Sequence, residues 1–372
     1  MTVDSAEHTR FMAMALALGR RGLGQAWPNP AVGAVLVRPT AAGPVVVGRG
    51  WTQPGGRPHA EAEALARAGA DARGTTLYVT LEPCSHQGRG PPCADLIIAS
   101  GVEQVVSALE DPNPLVAGDG HARLRARGIA VEVGVGAAEA RRDHAGHIRR
   151  IRDHRPNVML KLAVSRDGKA GLAGRRPATI TGEPARARVH LMRAMSDAVL
   201  VGIGTVLADE PLLTCRLPGM GGRSPVRIVL DSAVRLPLHS RLVQSAREVP
   251  VWVVAAATAA DRVKALEDSG VSVMRGEVGE TGRLDLESVL RRIAERGITR
   301  LMVEGGPTVA AALIAADLVD EAALFRSDRV IGADGIDALA GMPLAALAGS
   351  PRLICAGTEP VSGDRLELYE RH

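Results

Sequence analysis

The chain has 372 residues, long enough for two or three ordinary domains, and 46% of them are hydrophobic and 23% charged, which excludes wholesale disorder. Only 2% are aromatic, so the stacking platforms that single-stranded nucleic acids need are missing. With 45 basic against 41 acidic side chains the net charge is +4, a mild basicity that suits a phosphorylated small molecule as well as any polyanion and by itself decides nothing.

Residues 4–21 carry apolar side chains at helical spacing and end near Gly22. Within them the run 11–18 (FMAMALAL) is eight residues long and its Arg pair follows it. A secretory signal puts the charge first, and a membrane span needs about 20 apolar residues, so a cytoplasmic chain with no membrane partner is expected. AVGAVLV (31–37) and VVVG (45–48) read as a hairpin. HAEAEALARAG (59–69) reads as a helix, TLYVTLE (76–82) as a strand and CADLIIASG (93–101) as a helix. VEQVVSAL (102–109), GDGHARLRARG (118–128) and IAVEVGV (129–135) continue as strand, helix and strand. Strands alternating with helices predict an α/β sheet covered on both faces, filling a first domain over 1–145. The stretch RRDHAGHIRRIRDHRPN (141–157) reads as a solvated connecting helix plus linker. His144 and His147 within it are poor metal ligands, because the surrounding arginines repel a cation. A second α/β series fills 146–372, with strands at 158–165, 197–203, 226–231, 251–257, 271–276 and 300–305. Helices are expected near 183–195, 261–269, 285–297 and 307–316.

Four cysteines in so long a chain make no disulfide framework. Cys215 and Cys355 stand alone and are expected to be buried. Cys84 and Cys93 do not stand alone: they follow His59-Ala-Glu61, each preceded by a proline. One imidazole and two thiolates suit tetrahedral Zn²⁺ and leave a fourth position for water, whose pKa the metal lowers. Glu61, two residues past the histidine, is placed to take the water's proton and deliver it to a leaving nitrogen. Taken singly, His59 and Glu61 could be helix-start residues and the cysteines core. Together and in order they match the zinc nucleoside and nucleobase deaminases. A closed structural zinc site would need a fourth side chain, for which His86 is the nearby candidate.

Common deaminases space the two cysteines C-x-x-C, whereas here eight residues intervene. With TLEPCSHQGRGPPC (80–93), PNPAVGAVLV (28–37), GGRPHAEAEAL (55–65) and EDPNPLVAGDG (110–120), the chain resembles the bifunctional riboflavin-biosynthesis deaminase–reductases, and the likeness runs over nearly its whole length. The resemblance implies a cytidine-deaminase-like α/β/α domain followed by a dihydrofolate-reductase-like α/β domain, Zn²⁺ and NADPH as cofactors, and a homo-oligomer, dimer or tetramer. It implies as substrate a diaminopyrimidinone bearing a ribosylamino 5′-phosphate, met by Asn29, His86, Arg89, Asp111 and Asn113. Arg89 stands where a lysine is frequent, which keeps the charge. Thr52 stands where a histidine is frequent, and no contact is carried over to it. Asp111-Pro-Asn-Pro also reads as a plain turn.

In the second half the residues speak less directly. RLMVEGGPTVAAALI (300–314) is a strand, a Gly pair and a helix opened by Pro307, and 201–205 (VGIGT) is another glycine turn. Such turns let main-chain N–H groups approach a phosphate, but neither is a dinucleotide fingerprint. The resemblance extends to KLAVSRDGK (161–169), GIGTVLADEPLLTCR (202–216), VLDS (229–232) and VEGGPT (303–308). It implies that Ala163, Thr179, Thr205, Ser232, Gly306, Pro307, Thr308 and Val309 meet NADPH. Asp209, Leu213, Arg216 and Glu304 would meet the substrate, and Lys161 and Asp209 would relay a proton or polarise the sugar. GRRPATITG (174–182) departs from the family: Pro177 and Thr179 replace a serine and a tryptophan, and Arg175 and Arg176 are candidates for the lost anion contact. The competing reading is a zinc deaminase acting on another nucleotide or on nucleic acid, with a non-reducing C-terminal domain.

Overall fold

The computed structural model describes residues 5–88, 90–114, 116–172, 179–257, 259–280 and 282–372; Arg89, Arg175, Arg176 and Pro177 lie outside them. The chain divides into two compact units, Met1–His154 and Arg155–His372. Among the described residues no helix is long and apolar enough to cross a membrane.

The first unit is built on five strands, β1 (Gly33–Arg38), β2 (Val45–Trp51), β3 (Thr76–Val79), β4 (Gln104–Ser107) and β5 (Ala130–Val133), in the order β2-β1-β3-β4-β5. β1 is antiparallel to both neighbours, and β3, β4 and β5 are parallel. Two helices lie close on this sheet, α1 (Ser5–Gly19) and α2 (Ala60–Ala68). A Cβ at Gly33 would stand 1.9 Å from the Ala15 carbonyl oxygen, and one at Gly50 2.3 Å from that of Ala60, so glycine is required for the helices to sit so near. Parallel strands need crossovers, and α3 (Cys93–Ser100) and α4 (Asp119–Arg125) provide them. Phe11, Leu36, Leu77, Ile97, Val105 and Leu124 are among the side chains of the core.

The 141–157 stretch departs from expectation. It is not a solvated connector but closes the first unit with α5 (Ala137–Asp143) and α6 (Ala145–Asp153). His144 is 1% exposed and His147 9%. Arg141, Arg142 and Arg152 are exposed and Arg149 pairs with Asp153 at 2.6 Å, while the two imidazoles are buried against polar partners, Thr80 and Asp111.

Among the described residues of the second unit nine strands form one sheet: β6 (Asn157–Val164), then, after the short β7 (Lys169–Gly171), β8 (Ala198–Gly202), β9 (Val226–Leu230), β10 (Val251–Ala255), β11 (Ser272–Arg275), β12 (Arg300–Val303) and β13 (Glu321–Ser327), with two more given below. β14 (Ile336–Asp337) pairs with β7, and β15 (Leu353–Val361) and β16 (Asp364–Arg371) complete the large sheet. Its order is β11-β10-β9-β8-β12-β6-β13-β16-β15. All neighbours are parallel through β13, and a hairpin adds the last two strands antiparallel. The near-continuous apolar runs of β8, β9 and β10 are buried along their length, as strands covered on both faces must be. Helices α7 (Glu183–Ala194), α8 (Ile203–Asp209), α9 (Arg241–Gln244), α10 (Ala260–Asp268), α11 (Leu286–Glu295), α12 (Pro307–Ala315) and α13 (Ala345–Ala348) make the connections. The α/β class expected for both units is the one observed. β15 is an edge strand and mostly exposed, with an irregularity between Cys355 and Gly357. Cys215 is buried as expected, but Cys355 is exposed, because it lies on this edge.

One buried side chain ties the first unit together at the carboxyl ends of its parallel strands. The Glu82 carboxylate accepts four main-chain N–H groups: Asp111 and Gly118 on Oε2, each at 3.0 Å, and Gly120 and His121 on Oε1 at 2.8 and 3.2 Å. It thereby binds the 111–121 segment, including the first turn of α4, beside the strand end that leads to Cys84. Glu82→Ala leaves these donors buried without a partner. It is expected to cost about 3 kcal/mol of stability, read as a lower urea midpoint with little change in slope.

Candidate functional site

The sharpest cluster of the first unit is assembled by two helix starts. His59 precedes α2 in an extended conformation, and its side chain makes no capping bond, so the imidazole is free to face the loop that carries Cys84. Cys93 opens α3 after Pro92, and its N–H donates to Cys84 Sγ at 3.3 Å. His59 Nδ1 stands 3.7 Å from Cys84 Sγ and 3.4 Å from Cys93 Sγ. In a tetrahedral zinc site with Zn–N of about 2.0–2.1 Å and Zn–S of about 2.3 Å, a nitrogen–sulfur edge is about 3.6 Å, so the three atoms fit the ion. Among the described residues no fourth His, Cys, Asp or Glu joins the set, and His86 is exposed. The donors therefore suit a site with one position left for water and not a closed structural one.

The electrostatics are those of a buried, anion-rich corner. Burial pushes the Glu61 carboxyl up to about 7. The hydrogen bond from the Cys93 thiol, helped by His59, holds the Cys84 thiol down at about 4, and the same bond drives Cys93 up. His59 is raised, chiefly by its hydrogen bond with Cys84. A second grouping, Glu82, Glu110 and His121, is no rival metal site, because the Glu82 oxygens already hold four main-chain donors.

Around this cluster the structure brings Asn29 to His59. Its Nδ2 donates to the Gly56 carbonyl at 2.9 Å and lies 3.3 Å from His59 Nε2. Gly56 sits at φ 86°, and a Cβ there would strike the Asn29 side chain at 2.7 Å. Asp111 is partly buried and held from three sides: its N–H by Glu82, its Oδ1 by the Asn113 N–H at 2.9 Å and by His147 Nε2 at 3.4 Å. The Asp-Pro-Asn-Pro segment is thus both a turn and a fixed carboxylate. Thr52 is buried and accepts the Val32 N–H at 3.0 Å, a packing role.

In the second unit the residues singled out by sequence gather at the carboxyl ends of parallel strands, where ligands of open α/β sheets bind. Ala163 is near the end of β6, Thr205 follows β8, Ser232 follows β9, and Glu304 with the glycine pair follows β12. The pair is a cradle that side chains would fill: a Cβ at Gly305 would lie 2.6 Å from Val201, and Gly306 sits at φ 62°. α12 begins at Pro307 with no capping side chain; the Val309 and Ala310 N–H groups donate to the Gly306 carbonyl, each at 3.1 Å, and the Thr308 N–H lies at that end. Thr308 and Val309 belong to that first turn. Thr179 is exposed, its carbonyl accepting from Arg329 at 2.7 Å, and Ser232 is tied by its own carbonyl to Ala257 N at 2.8 Å.

Glu304 is held by Arg193 in a bidentate pair, with Nη2 to Oε2 at 2.7 Å, and the same guanidinium donates to the Thr214 carbonyl at 3.1 Å. Burial alone would raise the Glu304 carboxyl, yet Arg193 and Lys161 hold it below the ordinary range. Lys161 is lowered by burial against the pull of Glu304. Asp209, Leu213 and Arg216 line a cavity of about 340 Å³ together with Arg193 and Arg241. Burial raises Asp209; burial and the neighbouring guanidiniums of Arg193 and Arg241 lower Arg216. Sequence reading missed Arg193, Arg241, Glu82 and the packing of His147. Arg193 had one available signal: it continues the buried stripe of Ala185 and Val189 at four-residue spacing, a charge on an inward face.

Residues 5–109 match the cytidine and deoxycytidylate deaminase zinc-binding region, and residues 156–365 match the RibD C-terminal domain. The riboflavin biosynthesis protein RibD of Escherichia coli K12 is 41% identical over 346 residues, covering 89% of this chain and 91% of that protein. The Aquifex aeolicus VF5 protein of the same name is 39% identical over 326 residues, covering 87% of each. Among solved structures, Acinetobacter baumannii RibD superposes with a TM-score of 0.87 at 32% identity, covering 99% of this chain and all of that one. The diaminohydroxyphosphoribosylaminopyrimidine deaminase/5-amino-6-(5-phosphoribosylamino)uracil reductase of Thermotoga maritima superposes with 0.83 at 35% identity, covering 98% and 99%. With an imidazole and two thiols set at zinc spacing in one unit and a carboxyl-end cleft in the other, the chain belongs to the RibD family of riboflavin biosynthesis proteins.

Proposed function

We propose that the chain carries out two successive reactions of riboflavin biosynthesis. The first unit hydrolyses a ring amino group of 2,5-diamino-6-(5-phosphoribosylamino)pyrimidin-4-one to an oxo group and releases ammonia. The second reduces the ribosyl group of the product to ribityl with NADPH. The observation that carries the reading is the three-ligand set of His59, Cys84 and Cys93 beside a buried glutamate.

His59 Nδ1 and the two sulfurs would hold zinc. Zinc in such a set makes water acidic near neutral pH. Glu61, only 3% exposed and with its carboxyl pushed up to about 7, takes a proton on a carboxylate oxygen and returns it to the departing nitrogen. Asn29, His86, Arg89, Asp111 and Asn113 are the substrate contacts of this half. Asn29 and Asp111 are already fixed by neighbouring groups, which spares the ordering cost on binding.

In the second unit the uncapped start of α12 and the glycine cradle fit a dinucleotide pyrophosphate, with Ala163, Thr179, Thr205 and Ser232 as further contacts. NADPH supplies the hydride when bound. Asp209, Leu213, Arg216 and Glu304 line or border the cleft that takes the sugar phosphate, and Arg193 joins them. Lys161, buried and under the pull of Glu304, is the group that would hold the proton that the reduced sugar oxygen needs. Homo-oligomeric assembly, as a dimer or tetramer, and a cytoplasmic location belong to the same proposal and rest on the family likeness.

Incubated with the diaminopyrimidine phosphate, the protein is expected to release ammonia without NADPH and to oxidise NADPH once it is added; release of no ammonia refutes the reading. Glu61→Gln is expected to lower kcat for ammonia release at least about 100-fold while zinc content, measured by metal analysis, stays at one per chain. Zinc removal by a chelator should abolish ammonia release yet leave NADPH oxidation intact when the deaminated compound is supplied directly.

A further inference from the structure

We propose that His147 is a positioning residue of the deaminase, orienting the Asp111 carboxylate toward the substrate. The inference rests on the reading of Asp111 as a substrate contact. It starts from a segment whose composition reads as a solvated linker, and three of whose side chains instead reach three different loops of the first unit. At the junction of α5 and α6, His144 Nε2 lies 3.0 Å from Thr80 Oγ1, which itself accepts the Gly33 N–H at 3.1 Å. One turn on, His147 Nε2 lies 3.4 Å from Asp111 Oδ1. After another turn, Arg150 Nη1 donates to the Pro28 carbonyl at 3.2 Å, next to Asn29. α6 therefore backs the strand end that leads to Glu82 and Cys84, the Asp111 loop and the Asn29 loop at once.

The Asp111 contact has the right chemistry for orientation. A carboxylate with one oxygen already taken by a main-chain N–H can still rotate about its Cα–Cβ and Cβ–Cγ bonds. The Asn113 N–H at 2.9 Å and the ring N–H from His147 converge on the same Oδ1, so neither of these two donors occupies Oδ2. His147 is 9% exposed, so the bond is made largely out of competition with water, where a donor to a charged acceptor counts most. Glu82 fixes the Asp111 main chain and His147 fixes its side chain: two buried groups from distant parts of the sequence settle one carboxylate.

Ammonia release from the diaminopyrimidine phosphate is to be measured for the full-length chain and for Asp111→Asn, His147→Ala, His147→Gln and the double variant Asp111→Asn/His147→Ala. Zinc content and thermal midpoint are followed in parallel. His147→Ala is expected to raise KM about 10-fold with kcat within about twofold. His147→Gln, whose amide N–H can stand near the Nε2 position, is expected to recover most of that loss. The double variant is expected to be no worse than Asp111→Asn alone, the non-additivity of partners in one bond. Wild-type KM in His147→Ala, beside a raised KM in Asp111→Asn, overturns the positioning role and leaves the deaminase reading intact. Wild-type KM in Asp111→Asn overturns it too, by removing Asp111 from the substrate. So does a His147→Ala protein with lowered zinc content and midpoint that His147→Gln does not rescue, since that marks a packing histidine. Absence of ammonia from the unmodified protein overturns the functional reading along with it.

Discussion

Glu82 takes two loops that have no regular structure of their own and makes their separation a matter of hydrogen-bond length. A carboxylate sealed from water is costly unless its oxygens are filled, and here four main-chain N–H groups fill them. The same four groups would otherwise be orphans at the start of α4 and in the preceding turn. Each side satisfies the other, so neither can be released cheaply. Because Cys84 lies only two residues beyond, the strand end that carries this proposed metal ligand and the Asp111 loop are joined through one side chain. The spare rigidity lets His59 and Cys93 be presented from helix starts, where a small backbone shift would carry them out of register with each other.

The second unit reaches preorganisation by a different route. Its site needs no knot, because the insertion of β12 between β8 and β6 puts three strand ends side by side at the centre of the sheet. Short turns there need glycine, and the Gly305–Gly306 pair meets both demands, close approach to Val201 and a left-handed φ. What the sheet cannot supply is a charge pattern. That comes from α7, whose Arg193 neutralises Glu304, while Arg216 and Arg241 stand on the cavity wall with Asp209 and Glu210 and Arg241 still lowers Arg216. A mutually repelling pair of guanidiniums is tolerated most easily where an anion is to arrive.

Most of this was legible from residues alone, and the exceptions have physical causes. Apart from the short β7, which was not expected, the strands of the second unit through β12 fall within a residue or two of their apolar runs, since a buried parallel strand writes itself as an unbroken hydrophobic stretch. β13 did not stand out, because EAALFRS is built from residues with strong helix propensity and is a strand only through its neighbours β6 and β16. β15 carries Gly, Thr, Glu and Pro and is mostly exposed, so no alternation reveals it. The His59, Cys84 and Cys93 cluster was legible because the chemistry proposed for it restricts it to two residue types at ordered positions. Glu82 was not, for a carboxylate that binds main-chain N–H groups leaves no mark on the sequence of its partners. The error over 141–157 has the same root: arginines dominate the composition, but the two histidines decide where the helix lies.

The exposed rim of the second sheet has a corollary for the protein's behaviour at high concentration. The outer edge of a strand nine residues long offers a ladder onto which a foreign chain can template itself. β15 is ill suited to that. Its irregularity between Cys355 and Gly357 breaks the spacing of the donors and acceptors, Pro360 removes one donor altogether, and Glu359 puts a charge on the rim. The border of the sheet thus resists stacking through its own covalent make-up.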